Sequence, residues 1–276
     1  MLSPGKDKLI GTAVFCLGLA LVLGEPLAAM ASSPKPAGLA RSRVVETTFK
    51  SVDATVAGQW DFPVNGSAPL IVLIPPTGKI DRNGWPPGSD DASEKGIYEQ
   101  LADALVAKGF AVFRYDVPGA GRSSPGRWST PRSSALEAYT RAVDHARIDP
   151  QRVFLLGHSS GSSTIAAIFS RFQQVNPLAG VILLANTVGE REILEISVPI
   201  LVIVGDKYPD DLYQHGRFVA DARTNAADRE LETTLVSIEG ADHSILATVP
   251  GRRGTRFSID PRATDAIIKW LLEKIG

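Results

Sequence analysis

The chain has 276 residues, of which 44% are hydrophobic and 21% charged, a composition that suits one globular core and excludes collagen, coiled coil and disorder. A formal net charge of −1 leaves no broad basic surface for phosphate-backbone neutralisation, so no nucleic-acid partner is expected. Cys16 is the single cysteine, so no intramolecular disulfide forms and the core must hold together by burial.

At the N-terminus, Lys6 and Lys8 precede an uncharged apolar stretch over residues 9–23, followed by Pro26 and the small residues Ala28, Ala29 and Ala31. This order predicts a secretory signal over residues 1–31, cleaved just before Ser32. A loose Ser/Pro-rich tail over 32–41 and a single domain over 42–276 follow. The expected location is secreted or periplasmic, with no stable membrane insertion after cleavage. An uncleaved anchor and a lipoprotein signal ending at Cys16 are the rival readings, but the apolar run is shorter than the roughly 20 residues a spanning helix needs, and Phe15 before Cys16 is too bulky for a lipobox.

Alternating patterns over residues 45–49 and 55–62 predict antiparallel strands. Continuous apolar runs at 70–74, 110–113, 153–156, 181–184 and 200–204, each bounded by Gly, Pro, Asn or Asp, predict strands buried on both faces of a parallel sheet. A late strand is expected at 235–238. Between the runs, Ile97, Leu101 and Leu105 form a helical stripe ended by Gly109. A helix-compatible run covers 162–172, and another helix is expected from about Leu212. Ala263, Ile267, Leu271 and Ile275 form a last stripe, with Asp260 as N-cap and Pro261 at the first helical position. The order predicts an α/β sandwich with helices on both faces.

The most informative stretch is Gly157-His158-Ser159-Ser160-Gly161, a Gly-x-Ser-x-Gly motif between a buried strand and a helical run. A serine there occupies a sharp turn that lifts its hydroxyl above the sheet, at a helix N-terminus whose N–H groups favour a developing oxyanion. As a bare pattern the motif also fits a plain strand-to-helix turn. Its setting after a buried strand favours a nucleophile at Ser159.

On these residues the chain resembles the α/β-hydrolase superfamily over nearly its whole mature length. Three further stretches share the resemblance: residues 73–78, like the loop after strand three; residues 109–123, like strand four and its loop; and Gly240-Ala241-Asp242-His243, like the histidine loop. The resemblance implies a single-domain fold with a mostly parallel eight-stranded sheet, helices on both faces and, given the short 184–200 link, no large lid. An open site for short to medium acyl chains is expected.

Among four histidines only His243 follows the last expected strand, as the fold's Ser, acid, His order requires, so it is the expected base. His158 fills the variable elbow position beside the nucleophile, while His145 and His215 fall in helical segments and read as solvated. The acid departs from the family pattern. Three residues beyond Gly205 stands Tyr208, which cannot stabilise an imidazolium at neutral pH, so the acid is expected at Asp206 or Asp210, with a slight preference for Asp206. Asp211 reads better as a helix cap. Pro75 and Pro76 carry no N–H, leaving the N–H groups of Thr77 and Ser160 as the expected oxyanion hole, with Gly78 in reserve.

Together these residues indicate a serine hydrolase acting on a small-molecule carboxylic ester or thioester, with no cofactor and no metal site. The alternatives are a peptidase or amidase, a dienelactone-type hydrolase, and a non-catalytic binding protein on the same fold. A basic run over residues 251–256 reads as a solvated face, or else as a pocket mouth favouring acidic substrates. N-terminal sequencing of the protein exported by its native host is expected to begin at or near Ser32; an intact Met1 on a membrane-bound product would overturn the export reading.

Overall fold

Runs of β-branched and large aliphatic residues form the centre of an eight-stranded sheet in the computed structural model, which describes residues 43–64, 66–84, 95–207, 210–226, 231–251 and 254–276. Of residues 210–215 and 254–255 only the backbone is described. The expected signal, its cleavage site and the tail lie outside the described residues, as do Tyr208, Arg252 and Arg253. All described residues belong to one compact unit, Ala40–Gly276.

The strands are β1 (Arg43–Ser51), β2 (Ala54–Phe62), β3 (Ala68–Ile74), β4 (Ala111–Tyr115), β5 (Ile148–His158), β6 (Gly180–Leu184), β7 (Ile200–Gly205) and β8 (Thr233–Ile238). Their order in the sheet is β1-β2-β4-β3-β5-β6-β7-β8. The β1–β2 and β2–β4 pairs are antiparallel, and every pair from β4–β3 to β7–β8 is parallel.

Helices α1 (Ile97–Val106), α2 (Pro131–Val143), α3 (Ser160–Ala167), α4 (Phe169–Val175), α5 (Asp210–Thr224) and α6 (Pro261–Ile275) cover the two faces. Side chains alternate along β3 accordingly. Leu70, Val72 and Ile74 join the core under α2, α3 and α4, whereas Ile71 and Leu73 join the core under α1 and α6. A strand buried on both sides needs apolar residues at every position, which is why these strands read as continuous runs.

The helix ends follow the sequence chemistry. Asp260 accepts the Arg262 N–H ahead of Pro261, and Thr130 forms a reciprocal cap with Ser133 ahead of Pro131. Among the described residues, no helix is long and apolar enough to cross a membrane.

Three features depart from the sequence expectations. The run over 162–172 is not one helix, because Ile168 leaves helical geometry at φ −131° and separates α3 from α4. The segment after the histidine loop is an antiparallel hairpin of β9 (Leu246–Gly251) and β10 (Gly254–Ile259), where no strands were expected. A two-stranded ribbon with Pro250 and the exposed Phe257 on it carries little apolar alternation to betray it. His145 lies beyond the end of α2, with its ring 4.8 Å from Trp60 and 4.6 Å from Phe62, so it is a half-buried packing residue and not a solvated helical one. The side chain of His215 lies outside the described residues.

Below the loop that follows β3 lies a buried pair of ion pairs. Arg82 donates from Nε and Nη2 to the two oxygens of Asp116 at 2.9 and 2.8 Å, and its own N–H adds a third bond at 2.8 Å. Arg114 donates to Asp61 at 2.8 Å and to the carbonyl of Arg82 at 2.9 Å. Burial alone would push the Asp116 carboxyl up, but the Arg82 guanidinium and the N–H groups of Arg122 and Arg82 outweigh it and hold it below the usual carboxylate range. Stability from this pair is therefore fully present at neutral pH and is lost as pH falls through that lowered value. Asp116→Asn strands Arg82 and is expected to cost about 3–5 kcal/mol in urea unfolding at neutral pH, with the gap to wild type narrowing in acid. A loss under about 1 kcal/mol would show that the pair does not hold this loop.

Candidate active site

Strand β5 ends at His158 and α3 begins at Ser160, so Ser159 is the single residue of the turn, at φ 51° and ψ −123°. Positive φ is strained for any residue with a Cβ, and the surroundings must enforce it. Here the Ser159 N–H donates to the Leu184 carbonyl at 2.8 Å, while its own carbonyl accepts from the Ser162 N–H at 2.8 Å and the Thr187 hydroxyl at 3.0 Å. Thr187 is held in turn by Ser163, hydroxyl to hydroxyl at 2.7 Å.

The elbow leaves the Ser159 hydroxyl at the carboxyl ends of the parallel strands, facing the loop after β8. There Ser159 Oγ and His243 Nε2 are 3.0 Å apart. Burial lowers the imidazole of His243 from its ordinary value, with the charge of Asp242 opposing. A hydroxyl within hydrogen-bond reach of a neutral imidazole nitrogen can pass its proton to it, which is the chemical content of this contact.

The histidine loop is tied to the end of β7: the Lys207 N–H donates to the Ala241 carbonyl at 3.0 Å, and the Gly240 N–H donates to Asp206 Oδ1 at 2.5 Å. The carboxylate of Asp206 thus anchors the loop's backbone and makes no hydrogen bond to His243. Asp210 is the first residue of α5, which starts two positions earlier than expected; its side chain lies outside the described residues. His243 has a further interaction besides its bond to Ser159.

The structure brings Thr77 and Ser160 together. The Thr77 N–H donates to Ser160 Oγ at 2.8 Å, and the two hydroxyls are 3.1 Å apart. The N–H of Ser160 stands at the first position of α3, where a helix supplies no acceptor for it. Beside this loop lies a cavity of about 170 Å³ walled by Ile74, Pro76, Thr77, Tyr115, Val117 and Pro131. Arg256 borders a different hollow, of about 360 Å³, with Lys95, Gln100 and Asp103 of the α1 region and Asp265 of α6. Neither Ser159 nor His243 lines that hollow, so it is not the mouth of the Ser159 site. Among the described residues no group of three or more His, Cys, Asp or Glu side chains could hold a metal ion.

Sequence reasoning missed Thr187 and Tyr98. Thr187 lies in a short connection with no motif around it, and Tyr98 sits beside a helical stripe that looks like plain core; its hydroxyl is 2.8 Å from Nδ1 of His158.

A family model described as "Serine aminopeptidase, S33" matches residues 92–202. A zearalenone hydrolase of Bionectria ochroleuca is 27% identical over 112 residues, 40% of this chain, and the match spans 37% of that relative's length. Among solved structures, Est1E from Butyrivibrio proteoclasticus superposes with a TM-score of 0.58 at 14% identity, covering 83% of this chain and 98% of that one. A dienelactone hydrolase from Anabaena variabilis gives 0.56 at 14% identity, covering 84% and 96%. With its sheet order, its serine elbow and these likenesses, the chain has the α/β-hydrolase fold and is similar over residues 92–202 to a hydrolase family of that fold.

Proposed function

We propose that the protein is an exported serine hydrolase that cleaves a carboxylic ester or thioester of a small molecule through an acyl-enzyme on Ser159. The observation that carries this reading is the 3.0 Å contact between Ser159 Oγ and His243 Nε2 at a strained strand-to-helix turn. In the proposed reaction Ser159 attacks the acyl carbon as His243 takes its proton. His243 returns that proton to the leaving group, and water then releases the acyl group by the same route.

The oxyanion is received by the N–H groups of Ser160 and Thr77. Since the Thr77 N–H is engaged by Ser160 Oγ, substrate must displace that hydroxyl to complete the hole. For the acid the reading favours Asp210, because the carboxylate of Asp206 is committed to the Gly240 N–H. Similarity to proteins named for hydrolysing zearalenone and dienelactone supports an ester substrate. The match to a model named for a serine aminopeptidase keeps a peptidase as the second reading.

A fluorophosphonate probe is expected to modify the wild type at Ser159 and to leave Ser159→Ala untouched. Absence of labelling would select a non-catalytic binding protein. Nitrophenyl esters tested beside aminoacyl anilides separate esterase from peptidase. Asp210→Asn is expected to lower kcat on the order of 10⁴-fold with folding intact, whereas Asp206→Asn lowers it far less; the reverse order would move the acid to Asp206. Because the base works only when neutral, activity falls as pH drops through the value of His243, which burial moves below the ordinary histidine value.

A further inference from the structure

His158 plays no part in the proton path just proposed, yet it is only 6% exposed and both its nitrogens are engaged. Nδ1 lies 2.8 Å from the Tyr98 hydroxyl and Nε2 lies 3.2 Å from the Ser244 carbonyl. The tautomer follows from the partners. A carbonyl can only accept, so Nε2 carries the proton; Nδ1 is then a bare lone pair, and Tyr98 is its donor. The Tyr98 ring also meets the imidazole edge-on, with centroids 5.8 Å apart and planes at 87°.

We infer that His158 is a positioning residue: a neutral imidazole that ties the carbonyl of Ser244, and with it the loop bearing His243, to the end of β5 bearing Ser159. The inference rests on the proposed function. The residue directly before the serine is bonded to the residue directly after the histidine, so a single hydrogen bond fixes one reacting side chain against the other. From the opposite side Asp206 holds the Gly240 N–H, and the two anchors bracket His243 in the chain.

A neutral tether must stay neutral while the base titrates. Burial, helped by the nearby His243 and opposed by the Ser244 bond, pushes the imidazole of His158 down to about 4. Burial also raises the Tyr98 hydroxyl above its ordinary value, so it remains a protonated donor. The groups facing His158 are thus Tyr98 from α1 and His243 and Ser244 from the histidine loop, with no carboxylate among its bonded partners to favour the charged form.

Nitrogen NMR of the wild-type imidazoles is expected to show His158 as the neutral Nε2–H tautomer between about pH 5 and pH 8. His158→Leu, which has no donor, is expected to lose on the order of 10²-fold in kcat and in the rate of fluorophosphonate labelling, with KM nearly unchanged. His158→Gln, which restores an amide donor, recovers most of that loss at a similar unfolding midpoint. Tyr98→Phe removes the group that favours neutral Nδ1, so a second ionisation enters the acid limb of kcat.

A charged ring or an Nδ1–H tautomer in the wild type overturns the inference, as does a folded His158→Leu that keeps its labelling rate. Should His158→Leu fail to fold, the tautomer and the Tyr98→Phe profile still decide. Failure of the functional reading is seen separately, as a wild type whose Ser159 the probe does not label.

Discussion

The site depends on one strained residue, the φ of 51° at Ser159, and the sheet is arranged to hold it. Such a conformation costs about 1–3 kcal/mol and persists only where neighbours over-determine it. Leu184 takes its N–H, Thr187 and Ser162 fill its carbonyl, and Ala185, which leads β6 into Thr187, is itself at φ 54°. Close approach does the rest. A Cβ on Gly161 would stand 2.2 Å from the Ile74 carbonyl oxygen, and one on Gly157 would stand 2.7 Å from the Ser162 nitrogen. Because Ile74 is also where the Pro75-Pro76-Thr77 loop departs, the contact that permits the turn also places Thr77 beside Ser160.

Charge is buried in this fold in two ways. Arg82 and Arg114 meet carboxylates, so removing one partner strands the other. Arg223, with no exposed surface, is held instead by the carbonyls of Ile193, Ile196, Val198 and Glu232 and by the Thr233 hydroxyl. Burial pulls its guanidinium down to about 10, still far enough from neutral pH to remain charged. Its donors satisfy the backbone of the β6-to-β7 connection, where an α/β-hydrolase with a lid would carry one. The connection is thereby fixed as a short 3₁₀ turn, Glu192–Glu195, against α5.

What the sequence makes legible follows from periodicity and from special backbone geometry. The parallel strands stand out because double-sided burial leaves no polar positions, and α6 because Asp260 and Pro261 announce it. The elbow stands out because strain needs glycines at fixed offsets. The β9–β10 hairpin was hidden because an exposed ribbon obeys neither rule, and the break at Ile168 because apolar spacing continues across it. Asp206 illustrates a further limit. Its carboxylate lies in the right loop, but whether it meets an imidazole or a backbone N–H depends on how two loops from different strands approach each other, and neither loop's sequence contains that distance.

The displacement of the acid from the position of Tyr208 has a physical logic within the proposed assignment. Asp210 is the first residue of α5, the end of a helix where the dipole favours negative charge. That arrangement leaves Asp206 to secure Gly240, at the start of the histidine loop, while His158 secures Ser244 at its far side. One loop is then held at both ends by side chains that take no part in proton transfer. The reacting imidazole between them meets Ser159 at 3.0 Å, a distance that those two anchors help to set.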